Sequence, residues 1–251
     1  MSAVTRADVC AAACADLFAG AGETVASPMG TMPSIGARLA RLTSEPDLLL
    51  SDGEAFLLDD TQVLGAKPDT PSVIEGWLPY RTVFDVVASG KRHVIMGANQ
   101  IDRFGNQNIS CLGPHDRPTR QMFGVRGAPG NTINHRTSYW VARHTRRVFV
   151  DAVDMVSGVG YDRVAGNPAA RFHDIHRVVT DLGVFAFGGP DRAMSAVSLH
   201  PGVVAEDVEE HTGFTVHGLH GAPTTRRPTD EELDVLAYLD PRGLRTKEVP
   251  A

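Results

Sequence analysis

Three short stretches gather the side chains of this chain that could do chemistry. In "SDGE", Ser51, Asp52, Gly53 and Glu54 form a turn just after the apolar run "DLLL". A hydroxyl or carboxylate held there could act as a nucleophile. In "GANQIDRFGNQN", residues 97–108, three Asn, two Gln, Asp102 and Arg103 crowd one loop. So many amides make either a hydrogen-bonding ligand site or a self-capped loop of Asx turns. In "GVRGAPGNTINH", residues 124–135, Arg126 stands among Gly124, Gly127 and Gly130. An arginine in a glycine loop binds a carboxylate or a developing oxyanion, or is an incidental surface residue.

Other chemistries find little support. "HDIH" at 173–176 has two His three apart, with no third metal ligand at a recognisable spacing. No Walker loop, no GxGxxG opening a helix and no GxSxG elbow is present. No metal is expected.

The elements around these stretches read as an α/β fold. "DLLLS" is a continuous apolar run, typical of a parallel strand covered on both faces. "ETVAS" reads as a short strand, "PMGTMPSIG" as a Gly/Pro loop and "ARLARL" as the start of a helix. That order can set backbone N–H groups against a phosphate or acyl oxygen, or is simply a tight turn. "RHVIM", "RRVFVDAVDMVSG" and "IHRVVTDLGVFAFG" contain strands, the last with a turn near Asp181–Gly183. "FDVVAS" reads as helical or extended. Residues 6–19 and "AEDVEEH" read as helices, and Thr229 with Glu232 forms a capping box that opens a final helix. Ligands in such sheets collect at the carboxyl ends of strands, where all three stretches lie. We read residues 1–240 as a single domain and 241–251 as a loose tail.

Composition narrows the function classes. With 251 residues and 42% hydrophobic content the chain can bury a sizeable core. A net charge of -6 argues against a nucleic-acid surface. No stretch approaches the roughly 20 apolar residues that span a bilayer. Asp8 and Asp16 interrupt the apolar N-terminal segment, against a signal peptide. Cys10 and Cys14 share a helix face and read as core, so a cytoplasmic location is expected.

"GANQIDRFGNQN" resembles the G-A-x-Q-I-D-x-x-G-N-x-N signature of β-type subunits of family I CoA-transferases. "MGTMPSIGARLA", "RVVTDLGVFAF" and "LHPGVVAEDVEEHTGF" are similar to further family segments, in the same order. The resemblance spans nearly the whole chain. It implies an open, mainly parallel α/β sheet with helices on both faces, the CoA-transferase (NagB/RpiA-like) fold. It also implies a homologous α-type partner, in an α2β2 heterotetramer. Coenzyme A would be part of the substrate, with no separate cofactor.

Transferases of this family attack the acyl-CoA with a glutamate in an E-x-G turn. Matching that glycine to Gly53 puts Ser51 where the glutamate should be, with Glu54 three residues on. We read the nucleophile as lost, the alternative being a shifted loop in which Glu54 serves. Arg126 replaces a small residue of the family's third loop. Together these departures resemble the branch of two-subunit hydrolases that open the last ring in actinobacterial steroid catabolism. Arg126, Ser51 and Glu54 are therefore the candidate catalytic residues. Gly97, Asn99, Gln100, Gly127, Gly130 and Asn131 are the candidate substrate-binding residues. The resemblance places the catalytic base on the partner. The rivals are a CoA-transferase β subunit using Glu54 and a non-catalytic scaffold subunit.

Overall fold

A computed structural model of the chain describes residues 4–53, 55–65 and 71–250. Two compact units emerge, Met1–Met96 with Arg226–Ala251, and Gly97–Thr225.

In the first unit, helix α1 (Arg6–Asp16) opens on a capping box. The Asp8 amide donates to Thr5 Oγ1, and the Thr5 amide donates back to the Asp8 carboxylate. Cys10 and Cys14 are fully buried, as core residues. Helix α2 (Thr31–Leu42) packs on α1. A Cβ on Gly36 would come within 2.5 Å of the Cys14 Cβ, so the two helices approach this closely only because Gly36 has none. The expected Gly/Pro loop ends at Gly30. Pro33 lies inside the first turn of α2, where the helix needs no amide donor.

Strand β1 (Val25–Pro28) runs parallel to β5 (Arg92–Gly97), with Val25 opposite Arg92. "DLLLS" differs from expectation. It contributes only β2 (Leu50–Ser51), paired antiparallel with β3 (Phe56–Leu58), which pairs with β4 (Ile74–Trp77). Leu49 keeps one parallel bridge to Val25. "FDVVAS" is helical, in α3 (Tyr80–Ser89), a helix with no buried residue.

Helix α6 (Asp230–Leu239) opens on the Thr229–Glu232 capping box, as its sequence predicts. Residues 244–249 are not a loose tail. Leu244–Glu248 forms helix α7, and Val249 is buried. Arg245 donates to Asp8 at 2.7 Å and to Asp240 at 2.9 Å, so a charged side chain helps the buried Val249 to dock this end.

In the second unit, the amide-rich loop folds into a ladder of β6 (Gln100–Ile101) with β7 (Gln107–Asn108). A second ladder joins β8 (Cys111–Leu112) to β9 (Arg120–Gln121). Helix α4 (Ala128–Asn134) leads into β10 (Arg136–Val141), which runs parallel to β11 (Asp174–Thr180). β12 (Gly183–Ala186) and β13 (Ser195–Leu199) return antiparallel, so the sheet is mixed. The turn at Asp181–Gly183 and the short acidic helix α5 (Ala205–His211) fall where expected.

Strand β10 has no counterpart in the sequence reading. The strand expected in "RRVFVDAVDMVSG" is irregular, with Phe149 making a single bridge to Ile101. Phe149 is buried because its ring stacks on His144, with centroids 3.8 Å apart. Among the described residues, no helix is long and apolar enough to cross a membrane.

Candidate active site

The first unit holds a cavity of about 480 Å³ at the carboxyl end of β1 and around the Ser51 turn. The turn is built by its own side chains. Asp52 Oδ1 accepts from the amides of Ala55 and Phe56, both at 3.0 Å, and Ser51 Oγ accepts from the Gly53 amide at 3.3 Å. Gly53 has φ 85°, a left-handed conformation suited to glycine. Ser51 is half-buried and lines the cavity. The described lining residues include no His, Lys or Cys, and the one described carboxylate, Asp52, accepts from the amides of its own turn. Glu54 lies outside the described residues.

Two arginines that the sequence reading did not single out line the same cavity. Arg92, at the start of β5, donates from Nε to Ser27 Oγ at 2.7 Å. Arg38, on α2, donates to the backbone carbonyls of Gln62 and Ser34 at 3.1 and 3.2 Å. Burial lowers the pKa of both from the ordinary arginine value. Arg38 was hidden by its place within an amphipathic helix, and Arg92 by its place at the head of an apolar strand.

The second unit carries the other candidates. The amide loop resolves in favour of self-capping. Asn106 Nδ2 donates to Asp102 at 2.9 Å and to Asp162 at 2.8 Å. Asn108 Nδ2 donates to Gln100 Oε1 at 2.7 Å, and that same oxygen accepts from the Asp154 amide. Gln100, expected to meet substrate, is buried, and its amide also donates to Asp154. Gly97 and Asn99 are exposed at the mouth of the loop. Burial raises the Asp102 carboxyl above its usual range, partly offset by hydrogen bonds from Asn106 and Phe104.

Arg126 precedes α4 and is exposed. Its φ of 51° is left-handed, which a non-glycine residue adopts at a cost of about 1–3 kcal/mol. Gly124, at φ 78°, and Gly127 flank it. Gly130 has open space where a Cβ would sit. Asn131 differs from expectation. It is buried, with Oδ1 at 3.3 Å from His135 Nε2, and its carbonyl accepts from Thr137. The amide loop and α4 are joined through residues 157–159. Gln107 receives the amide of Ser157, and Thr132 Oγ1 receives that of Val159.

His173 is held by its own neighbours. His173 Nε2 lies 3.0 Å from the Val159 carbonyl, and its ring meets Tyr161 edge-on. Among the described residues, no group of three His, Cys, Asp or Glu could hold a metal ion.

The fold is that of the CoA-transferase class. The glutaconate CoA-transferase structure from Acidaminococcus fermentans superposes with a TM-score of 0.81 at 22% identity, covering 94% of this chain and 95% of that one. No family model matches the chain. The IpdB subunit of the cholesterol ring-cleaving hydrolase of Rhodococcus jostii (strain RHA1) is 66% identical over 98% of this chain and 96% of its own length. The crystal structure of Rhodococcus jostii RHA1 IpdAB matches with a TM-score of 0.95 at 65% identity, covering 100% of both chains. The chain belongs to the family of cholesterol ring-cleaving hydrolase IpdB subunits.

Proposed function

We propose that this chain is the β-type subunit of a two-subunit hydrolase that opens the last steroid ring by C–C cleavage of a cyclic keto acyl-CoA. The close relation to the IpdB subunit of the ring-cleaving hydrolase supports the activity, and the two-subunit IpdAB supports the partner. Exposed Trp77, Tyr80 and Phe84 offer apolar surface for such a partner. The partner is a homologous α-type chain, and the assembly is α2β2. Free Cys10, Cys14 and Cys111 suit the reducing cytoplasm.

A base on the partner activates water, which adds to the ring ketone. The resulting oxyanion collapses, and the bond to the carbon next to the thioester breaks. Its electron pair forms the thioester enolate, which takes a proton. The products are a new carboxylate and an intact thioester, so no cofactor beyond the substrate's coenzyme A is required. Arg126, exposed on its glycine loop, donates to the oxyanion. Gly97, Asn99, Gly127 and Gly130 leave room for the thioester.

One observation carries the hydrolytic reading over group transfer. The strand-end position is a serine, with no histidine, lysine or cysteine beside it among the described cavity residues. The test is a covalent one. The complex is incubated with acyl-CoA, reduced with borohydride and analysed by mass spectrometry. No glutamyl adduct should form on this chain, and an adduct on Glu54 would make it a transferase.

A further inference from the structure

We propose that Asn131 is a positioning residue for Arg126: its buried carboxamide, braced by His135, fixes the glycine loop that aims the Arg126 guanidinium. This deepens the hydrolase reading and rests on Arg126 being the oxyanion donor.

The left-handed backbone of Arg126, at φ 51°, persists only where its surroundings enforce it. Its guanidinium makes no hydrogen bond or ion pair among the described residues, so the backbone sets its direction. The Ala128 amide donates to the Val125 carbonyl at 3.1 Å and closes a turn over Arg126 and Gly127. Asn131 holds the far side of that turn. Its amide donates to the Gly127 carbonyl at 2.9 Å. A Cβ on Gly127 would sit 3.5 Å from Asn131 Nδ2, so the carboxamide packs against the backbone next to Arg126. Asn131 is anchored in turn. It is 4% exposed, and His135, 1% exposed, brings Nε2 to 3.3 Å from Asn131 Oδ1. His135 Nδ1 lies 3.1 Å from the Arg136 carbonyl, and Thr137 Oγ1 donates to the Asn131 carbonyl at 3.1 Å. Arg136 and Thr137 open β10, so the contacts run from a sheet strand to the loop. Buried Thr132 takes the Val159 amide at 3.1 Å, a second tether of α4. A guanidinium on a loop without these anchors would lose the alignment that a developing oxyanion demands.

The experiment is a double-mutant cycle on the assembled complex, read as kcat and KM for ring opening of the cyclic keto acyl-CoA. Asn131→Ala should lower kcat about ten- to a hundred-fold, as a misplacement of about 1 Å does, and change KM by less than about two-fold. In an Arg126→Ala background the same substitution should cost less than about two-fold more, because no guanidinium is left to aim. His135→Gln, whose Nε2 can reach Asn131 Oδ1, should keep most of the rate, whereas His135→Leu should match Asn131→Ala. Melting temperatures establish that each variant is folded. If Asn131→Ala does not fold, Asn131→Asp, of the same shape but without the Nδ2 donors, replaces it in the cycle. Losses that add in the double variant would overturn the positioning role while leaving Arg126 in the site. Equal losses in His135→Gln and His135→Leu would also overturn it. A wild-type rate in Arg126→Ala would instead remove the oxyanion reading, and the positioning role with it.

Discussion

Asn106 Nδ2 donates to Asp102 Oδ2 at 2.9 Å, four residues apart in one buried loop. The pair makes the most distinctive motif of the sequence a piece of architecture. Asn106→Ala should cost about 3 kcal/mol of stability, since it strips a charge-assisted bond from a buried carboxylate and also unpairs the Gly160 amide. Urea unfolding checks it. A change under about 0.5 kcal/mol would contradict this role.

His144 sets an acid limit on stability. It is buried between Thr180 and Thr212, and burial, with His211 nearby, lowers its pKa from 6.5 to about 3. The unfolded chain therefore binds a proton that the folded chain refuses. The stability His144 contributes is complete above about pH 6.5 and is lost as pH falls toward 3, by about 1.4 kcal/mol per unit. Burial also depresses His176, to about 4, so the slope must be compared between proteins. His144→Asn should be less stable at pH 7 but show a shallower decline between pH 6.5 and 4. An unchanged slope would contradict the assignment.

Ser51→Ala should keep most activity. The hydroxyl's described hydrogen bond is one long contact from the Gly53 amide, worth about 0.5–1.5 kcal/mol. Steady-state kinetics of the complex measure this. A loss of several orders of magnitude would make Ser51 a nucleophile or proton relay.

Arg126→Ala should lower kcat and kcat/KM together, by roughly 10²–10³, as for loss of a single oxyanion contact. Arg126→Lys should recover part of this, because an ammonium lacks the planar fork. A rise in KM with kcat unchanged would instead place Arg126 on a remote part of the substrate.

The sequence was most legible where local chemistry decides structure. The Thr229–Glu232 box, the Asp181–Gly183 turn and the buried Cys10–Cys14 face each depend on residues a few positions apart. Legibility fell where distant partners decide. Phe149 lies in an apolar run like a strand, yet its place is set by stacking on His144 and one bridge to Ile101. Arg245 lies in a polar terminus, yet Asp8 from the other end of the chain fixes it. Among the candidate residues, Ser51 of the first unit and Arg126 of the second stood out by type. Gln100 and Asn131 also did, but their partners Asp154, Asn108 and His135 turn them inward. Arg38 and Arg92 gave no signal, because only the fold brings helix α2 and strand β5 to one cavity.

In the proposed mechanism water, and no protein carboxylate, attacks the substrate. Single turnover of the assembled complex in ¹⁸O-water, with mass spectrometry of the ring-opened product, tests it directly. One ¹⁸O should appear in the new carboxylate, with the coenzyme A thioester still attached. Coenzyme A released or passed to another acid, with no label in a ring-opened carboxylate, would contradict it.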